Sequence, residues 1–129
     1  MNVLGLGFRK SATLKSFKNA LTRTKFVNSL TLIAVPTDKS VHPNLIRFAR
    51  ALGIDIITIS RAEIIAQDTT TQSKIIKHFR QSGSVAEASA LVGAGENSLL
   101  IVKRVLSNDG CVAAAVACSS TLLLPEKNL

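Results

Sequence analysis

The sequence predicts an α/β protein: a three-layer α/β/α arrangement with a mostly parallel central sheet and a C-terminal antiparallel hairpin. Three observations carry that expectation. Apolar runs of strand length alternate with segments whose apolar residues recur at helical spacing, the order that parallel strands with crossover helices produce. Glycine, proline and polar clusters punctuate the boundaries of those segments. Near the end, Asn108-Asp109-Gly110 separates two apolar runs, a strong hairpin signal.

Taken in order, Met1–Phe8 reads as a buried strand brought to its end by the Gly5-Leu6-Gly7 pair. Thr13–Arg23 follows as a basic helix with Leu14, Phe17, Ala20 and Leu21 on one face. Leu30–Val35 is a second strand, stopped by Pro36, and the polar loop Thr37–His42 leads to Pro43, a residue suited to the first helical position. The helix Pro43–Leu52 turns Leu45, Phe48, Ala49 and Leu52 inward and ends on Gly53. Ile54–Ile59 is a third strand, and Ser60-Arg61-Ala62-Glu63 matches a capping box that opens a short helix. Gln67–Gln72 reads as a loop, Ser73–Gln81 as a further basic helix, and Ser84–Val92 as a helix closed by Gly93-Ala94-Gly95. Leu99–Leu106 and Cys111–Cys118 are the strands of the hairpin, and the tail Leu122–Leu129 carries no clear pattern. No repeat, linker or low-complexity segment divides the chain, so residues 1–129 are expected to form a single domain.

Composition narrows the function classes. Hydrophobic residues are 47% and charged residues 19% of the 129, enough apolar material for a core. Sixteen Lys and Arg against eight Asp and Glu give a net charge of +8, a field that attracts phosphates, nucleic acid, acidic lipid or polycarboxylates. Trp and Tyr are absent, which argues against a surface of stacking platforms. No helix-turn-helix, zinc or RNA-binding signature accompanies the charge, so nucleic acid is not the expected partner. No apolar run reaches the roughly 18–20 residues of a membrane span, and the apolar start followed by basic residues reverses the order of a signal peptide. Cys111 and Cys118 are an odd number of positions apart in one strand-like run, roughly 23 Å at ~3.3 Å per residue, so they cannot bond to each other. They are read as buried thiols in a reducing cytoplasm.

In open α/β sheets, ligands bind outside the carboxyl ends of the strands. That rule selects Gly5–Ser11, Pro36–His42, Gly83–Glu87 and the surroundings of Lys103. In the first, Gly5 and Gly7 permit close backbone approach while Arg9 and Lys10 favour an anion. The segment is neither a complete dinucleotide fingerprint, since Lys10 stands at the third glycine position, nor a P-loop. A strand bend with two exposed cations explains it equally well. Asp38 can bind a ribose hydroxyl and Lys39 a carboxylate or phosphate, or both belong to ordinary turn chemistry. His42 before Pro43 fits a substitute N-cap, and His78 a surface residue on a basic helix. The two histidines and the cysteines form no zinc pattern, so neither metal nor cofactor is expected. Ser84 and Glu87 fit a capping box, although the same Glu87 carboxylate can act as a general base or bind a polar ligand edge. Lys103 interrupts an apolar strand and must reach the sheet edge or a ligand, with Arg104 beside it on the opposite face.

These segments, in this order, resemble the CobE / CbiG C-terminal domain family of cobalamin biosynthesis. The residues that carry the resemblance are Gly5-Leu6-Gly7-Phe8-Arg9, Thr37-Asp38-Lys39, Gly83-Ser84-Val85-Ala86-Glu87-Ala88-Ser89-Ala90, Lys103 and the closing Val112–Ala117 run. The likeness extends from about Asn2 to Ala117, and Gly-Ser-Val-Ala-Glu is its most specific part. Two departures stand out: His42 occupies a position where the family usually has Glu, and the strand before Lys103 lacks the usual Pro. The resemblance implies an α/β/α domain acting in corrin-ring construction, in the cytoplasm, alongside other corrin-pathway enzymes. It implies a precorrin or cobalt-precorrin as ligand, held by the acetate and propionate groups around its rim, and leaves open whether the chain turns that ligand over. It assigns ligand contacts to Gly5, Gly7, Arg9, Lys10, Asp38, Lys39, Ser84, Glu87 and Lys103, with Glu87 as the catalytic candidate. The alternative is a nucleotide- or phosphate-binding enzyme that uses the glycine loop after the first strand.

Overall fold

The structure, a computed structural model, describes residues 1–69 and 84–119, with side chains at 1–65 and 85–119. The elements in chain order are β1 (Asn2–Phe8), α1 (Leu14–Thr24), β2 (Leu32–Pro36), α2 (Pro43–Leu52), β3 (Asp55–Ile59), α3 (Arg61–Thr69), α4 (Ser84–Ala94), β4 (Ser98–Leu106) and β5 (Val112–Ser119). Strand order is β3-β2-β1-β5-β4; the first three strands are parallel, and β5 runs antiparallel to both of its neighbours. The expected sheet with its closing hairpin is therefore present. The expected Ser73–Gln81 helix, His78 and the tail lie outside the described residues.

Local chemistry accounts for most boundaries. Thr13 caps α1 reciprocally with Ser16, and Lys25 closes that helix with φ 60°. His42 is the N-cap of α2, Pro43 its first residue and Gly53 (φ 69°) its left-handed end. The Ser60–Glu63 capping box forms in both directions, at 2.8 and 3.0 Å. Three boundary expectations need correction, the first being that α4 runs through Gly93 to Ala94 instead of ending at Val92. Gly5 and Gly7 do not end the first strand, because β1 runs through them to Phe8, paired with β5 along its length. The expected loop does not begin at Gln67, since α3 runs through it to Thr69.

The sheet is buried on both faces by unlike layers. Against α1 and α2 lies a cluster of large side chains, with Phe8, Phe17, Phe48, Leu4, Leu6 and Ile33 among them. Phe17 meets Phe8 edge-on at 5.0 Å and stacks with Phe48 at 5.5 Å. Against α3 and α4 alanines predominate, Ala86, Ala88, Ala90, Ala113, Ala115 and Ala117 among them, beside the larger Val3, Ile59 and Ile64. There the backbones themselves approach. A Cβ on Gly5 would collide with the Ala86 carbonyl oxygen and lie 2.5 Å from the Ala90 nitrogen, so only glycine fits beneath α4.

Candidate functional site

The carboxyl ends of β1, β2 and β3 open on one side of the sheet, where they meet the start of α4 and the β4–β5 turn. A cavity of about 730 Å³ lies there, within the usual range of small-molecule sites. Its floor is apolar, with Phe8, Pro36, Ile59, Ile64, Val85 and Leu106. Four cations line it: Arg9 after β1, Lys39 after β2, Arg61 after β3, and Arg104 on β4. Asp38 is the one acid among the lining residues, and among the described residues none of the four cations has an ion-pair partner. Lys39 is half-buried, its Nζ 6.0 Å from the centre of the Phe8 ring, which holds a cation beside the apolar floor. Such a wall can seat a broad apolar body and neutralise several anionic substituents around it.

The sequence-selected residues divide. Gly7, Arg9, Asp38 and Lys39 line the cavity. Gly5 does not, because it lies under α4, and without a free glycine loop the nucleotide alternative loses its structural basis. Lys10 is exposed outside the lining, and its carbonyl accepts a 2.9 Å hydrogen bond from His42 Nε2. Since His42 Nδ1 accepts from the Asn44 N–H, the proton sits on Nε2 and the ring pins the β1–α1 loop to α2. His42 thus serves as the expected cap of α2.

Lys103 is exposed on the edge strand and does not line the cavity, whereas Arg104 does. Simple alternation fails here because β4 is irregular: its register against β5 shifts between Leu100 and Val102, and again between Val102 and Val105. Each shift places an extra residue on β4, the signature of a β-bulge. The Arg104 N–H donates instead to Glu87 Oε2 at 2.9 Å. The Glu87 carboxylate thus holds a strand backbone; Ser84 begins α4, and its side chain lies outside the described residues.

Sequence reasoning missed Arg61, Arg104 and Cys111. Arg61 was within reach of the strand-end rule, applied to every loop except the one after β3. Cys111 lies in the cavity wall just before β5 rather than within it, and both cysteines are half-buried rather than buried. Beside it, Asp109 accepts from Ser16 Oγ and Ser107 Oγ, each at 2.6 Å, and from the Cys111 N–H at 3.0 Å. Those bonds, first the Ser107 and then the Ser16 hydroxyl, hold its carboxyl down to about 2. Among the described residues no three His, Cys, Asp or Glu converge as metal ligands, and no helix is long and apolar enough to cross a membrane.

Residues 2–117 match the family described as Cobalamin synthesis G C-terminus. Among solved structures, the cobalamin biosynthesis protein chiG from Agrobacterium tumefaciens shares 25% identity with a TM-score of 0.74, over 93% of this chain and 99% of its own. CobE, a protein from the cobalamin (vitamin B12) biosynthetic pathway, shares 21% identity at a TM-score of 0.74, over 91% of this chain and 89% of its own. A cobalamin biosynthesis protein G homologue from Sulfolobus solfataricus has a TM-score of 0.61 at 17% identity; 92% of this chain covers 37% of that one. Comparison with curated proteins found no match.

Proposed function

Because the chain belongs to the Cobalamin synthesis G C-terminus family, we propose that it binds a precorrin or cobalt-precorrin intermediate in the cavity at the carboxyl ends of its strands. The observation that carries this reading is the pairing of an apolar floor with four cations, Arg9, Lys39, Arg61 and Arg104, contributed by four separate segments. A precorrin is a large macrocycle fringed by acetate and propionate groups. Its ring suits the floor around Phe8 and Ile59, and its carboxylates suit cations spaced around the rim. The start of α4 borders the same cavity at Val85, adding the positive end of a helix dipole.

In this reading the domain is one cytoplasmic unit that holds its ligand and passes it to other enzymes of corrin-ring construction. The cobalt of a cobalt-precorrin arrives as part of that ligand. Titration of the full chain with hydrogenobyrinic acid is expected to give saturable binding with a shift of the visible bands. No shift with hydrogenobyrinic acid or any other corrinoid overturns the reading. A rise in melting temperature with NAD, NADP or ATP alone would return the site to nucleotides.

A further inference from the structure

We infer that Glu87 is a positioning residue, whose carboxylate holds the Arg104 backbone N–H and thereby fixes which residue of the Lys103-Arg104 pair faces the cavity. The inference rests on the corrinoid-binding reading above and identifies how one cation of that site is set.

The register of β4 supplies the first link. Val102 and Val105 pair with Val116 and Ala114, so three steps on β4 match two on β5. Both valines nevertheless pack against the α1/α2 cluster, although residues three apart point to opposite faces of a regular strand. Lys103 and Arg104 therefore occupy the bulge between them. A bulge releases backbone groups from the ladder and re-aims the side chains it carries. On an edge strand such a register can slide by one residue, which would exchange Lys103 for Arg104.

Glu87 supplies the second link. Its Oε2 accepts the Arg104 N–H at 2.9 Å, so the bulge is tied to α4 as well as to β5. The tie is firm because α4 cannot shift along the sheet: Ala86 and Ala90, on either side of Glu87, press onto the bare backbone of Gly5. Through Ala86, which lies over Gly5 and precedes Glu87 on α4, contacts run from the middle of β1 to Arg104 at the cavity wall. A carboxylate used in this way serves as an acceptor and needs no proton transfer.

An acceptor role makes a specific demand: a Gln amide oxygen can take the same N–H, and Ala cannot. Hydrogenobyrinic acid titrations of the wild type, E87Q, E87A, R104A and the E87A/R104A pair test it, together with the Arg104 amide proton resonance of the unliganded full chain. E87A is expected to weaken binding about tenfold and to move the Arg104 amide resonance upfield, while E87Q restores both. In the R104A background, E87A is expected to add no further loss, since it acts through Arg104. If E87Q binds as poorly as E87A, or the two losses add, Glu87 touches the ligand itself and the inference is overturned. An Arg104 amide resonance unmoved in E87A also overturns it. If the wild type binds no corrinoid while E87A moves that resonance, the binding reading falls and the Glu87–Arg104 tie stands.

Discussion

The two faces of the sheet are packed by opposite means. Towards α1 and α2, large side chains interlock around Phe17 and Phe48, which are 0% and 1% exposed. Towards α4, alanines and Gly5 bring helix and strand backbones together. Charge divides along the chain as well. Residues 1–54 hold nine cations and a single acid, Asp38, while seven cations and seven acids balance from Asp55 onward. The cavity draws on both halves: Arg9 and Lys39 come from the basic half, Arg61 and Arg104 from the neutral one. Net charge therefore announces an anionic partner without locating its site; position at the strand ends does that.

The contrast in packing can be broken from either side. Phe17→Ala leaves a cavity where three rings meet, and the expected loss is about 3–5 kcal/mol in denaturant unfolding. Gly5→Ala adds one methyl group where backbone atoms already stand, and is expected to reach the upper end of the roughly 1–3 kcal/mol typical of overpacking. A wild-type melting curve for Gly5→Ala would mean that α4 is not held by close approach. Gly7→Ala sharpens the point, because its Cβ would meet Val85 at an ordinary 3.5 Å. Its stability is expected to stay within about 0.5 kcal/mol of the wild type.

A pH effect is expected on the α1 side as well. Asp109 joins the β4–β5 turn to α1 through Ser16, and its carboxyl is held down to about 2. A depressed carboxyl contributes stability above its unfolded value and loses it as pH falls through the folded one. Melting temperature should therefore fall between about pH 4 and pH 2, and Asp109→Asn should flatten that part of the curve. An unchanged slope in the variant would assign the acid sensitivity to other carboxylates.

The fold was legible where one residue's chemistry decides a boundary. Pro43 and Gly53 bracket α2, the Ser60–Glu63 box opens α3, and Asn108-Asp109-Gly110 turns the hairpin, with Gly110 at φ 72°. The site was half legible, since loops at strand ends can be read from apolar periodicity. What escaped depends on contacts distant in sequence. Gly5 resembles a ligand-binding glycine until Ala86 and Ala90 are placed over it. Lys103 outranked Arg104 because alternation was carried through a bulge that arises only when β4 meets β5 and Glu87. His42 was readable as a cap, yet its bond to the Lys10 carbonyl spans 32 positions.

The central claim is that the cations at the strand ends, and not those on the outer helix face, hold the ligand. A paired titration with hydrogenobyrinic acid tests it most directly, comparing a variant with both R61A and R104A against one with both K15A and K18A. Lys15 and Lys18 are exposed on α1 and do not line the cavity. The account predicts at least about tenfold weaker binding for the Arg61/Arg104 variant and wild-type affinity for the Lys15/Lys18 variant. The reverse order, or equal losses in both, would contradict it.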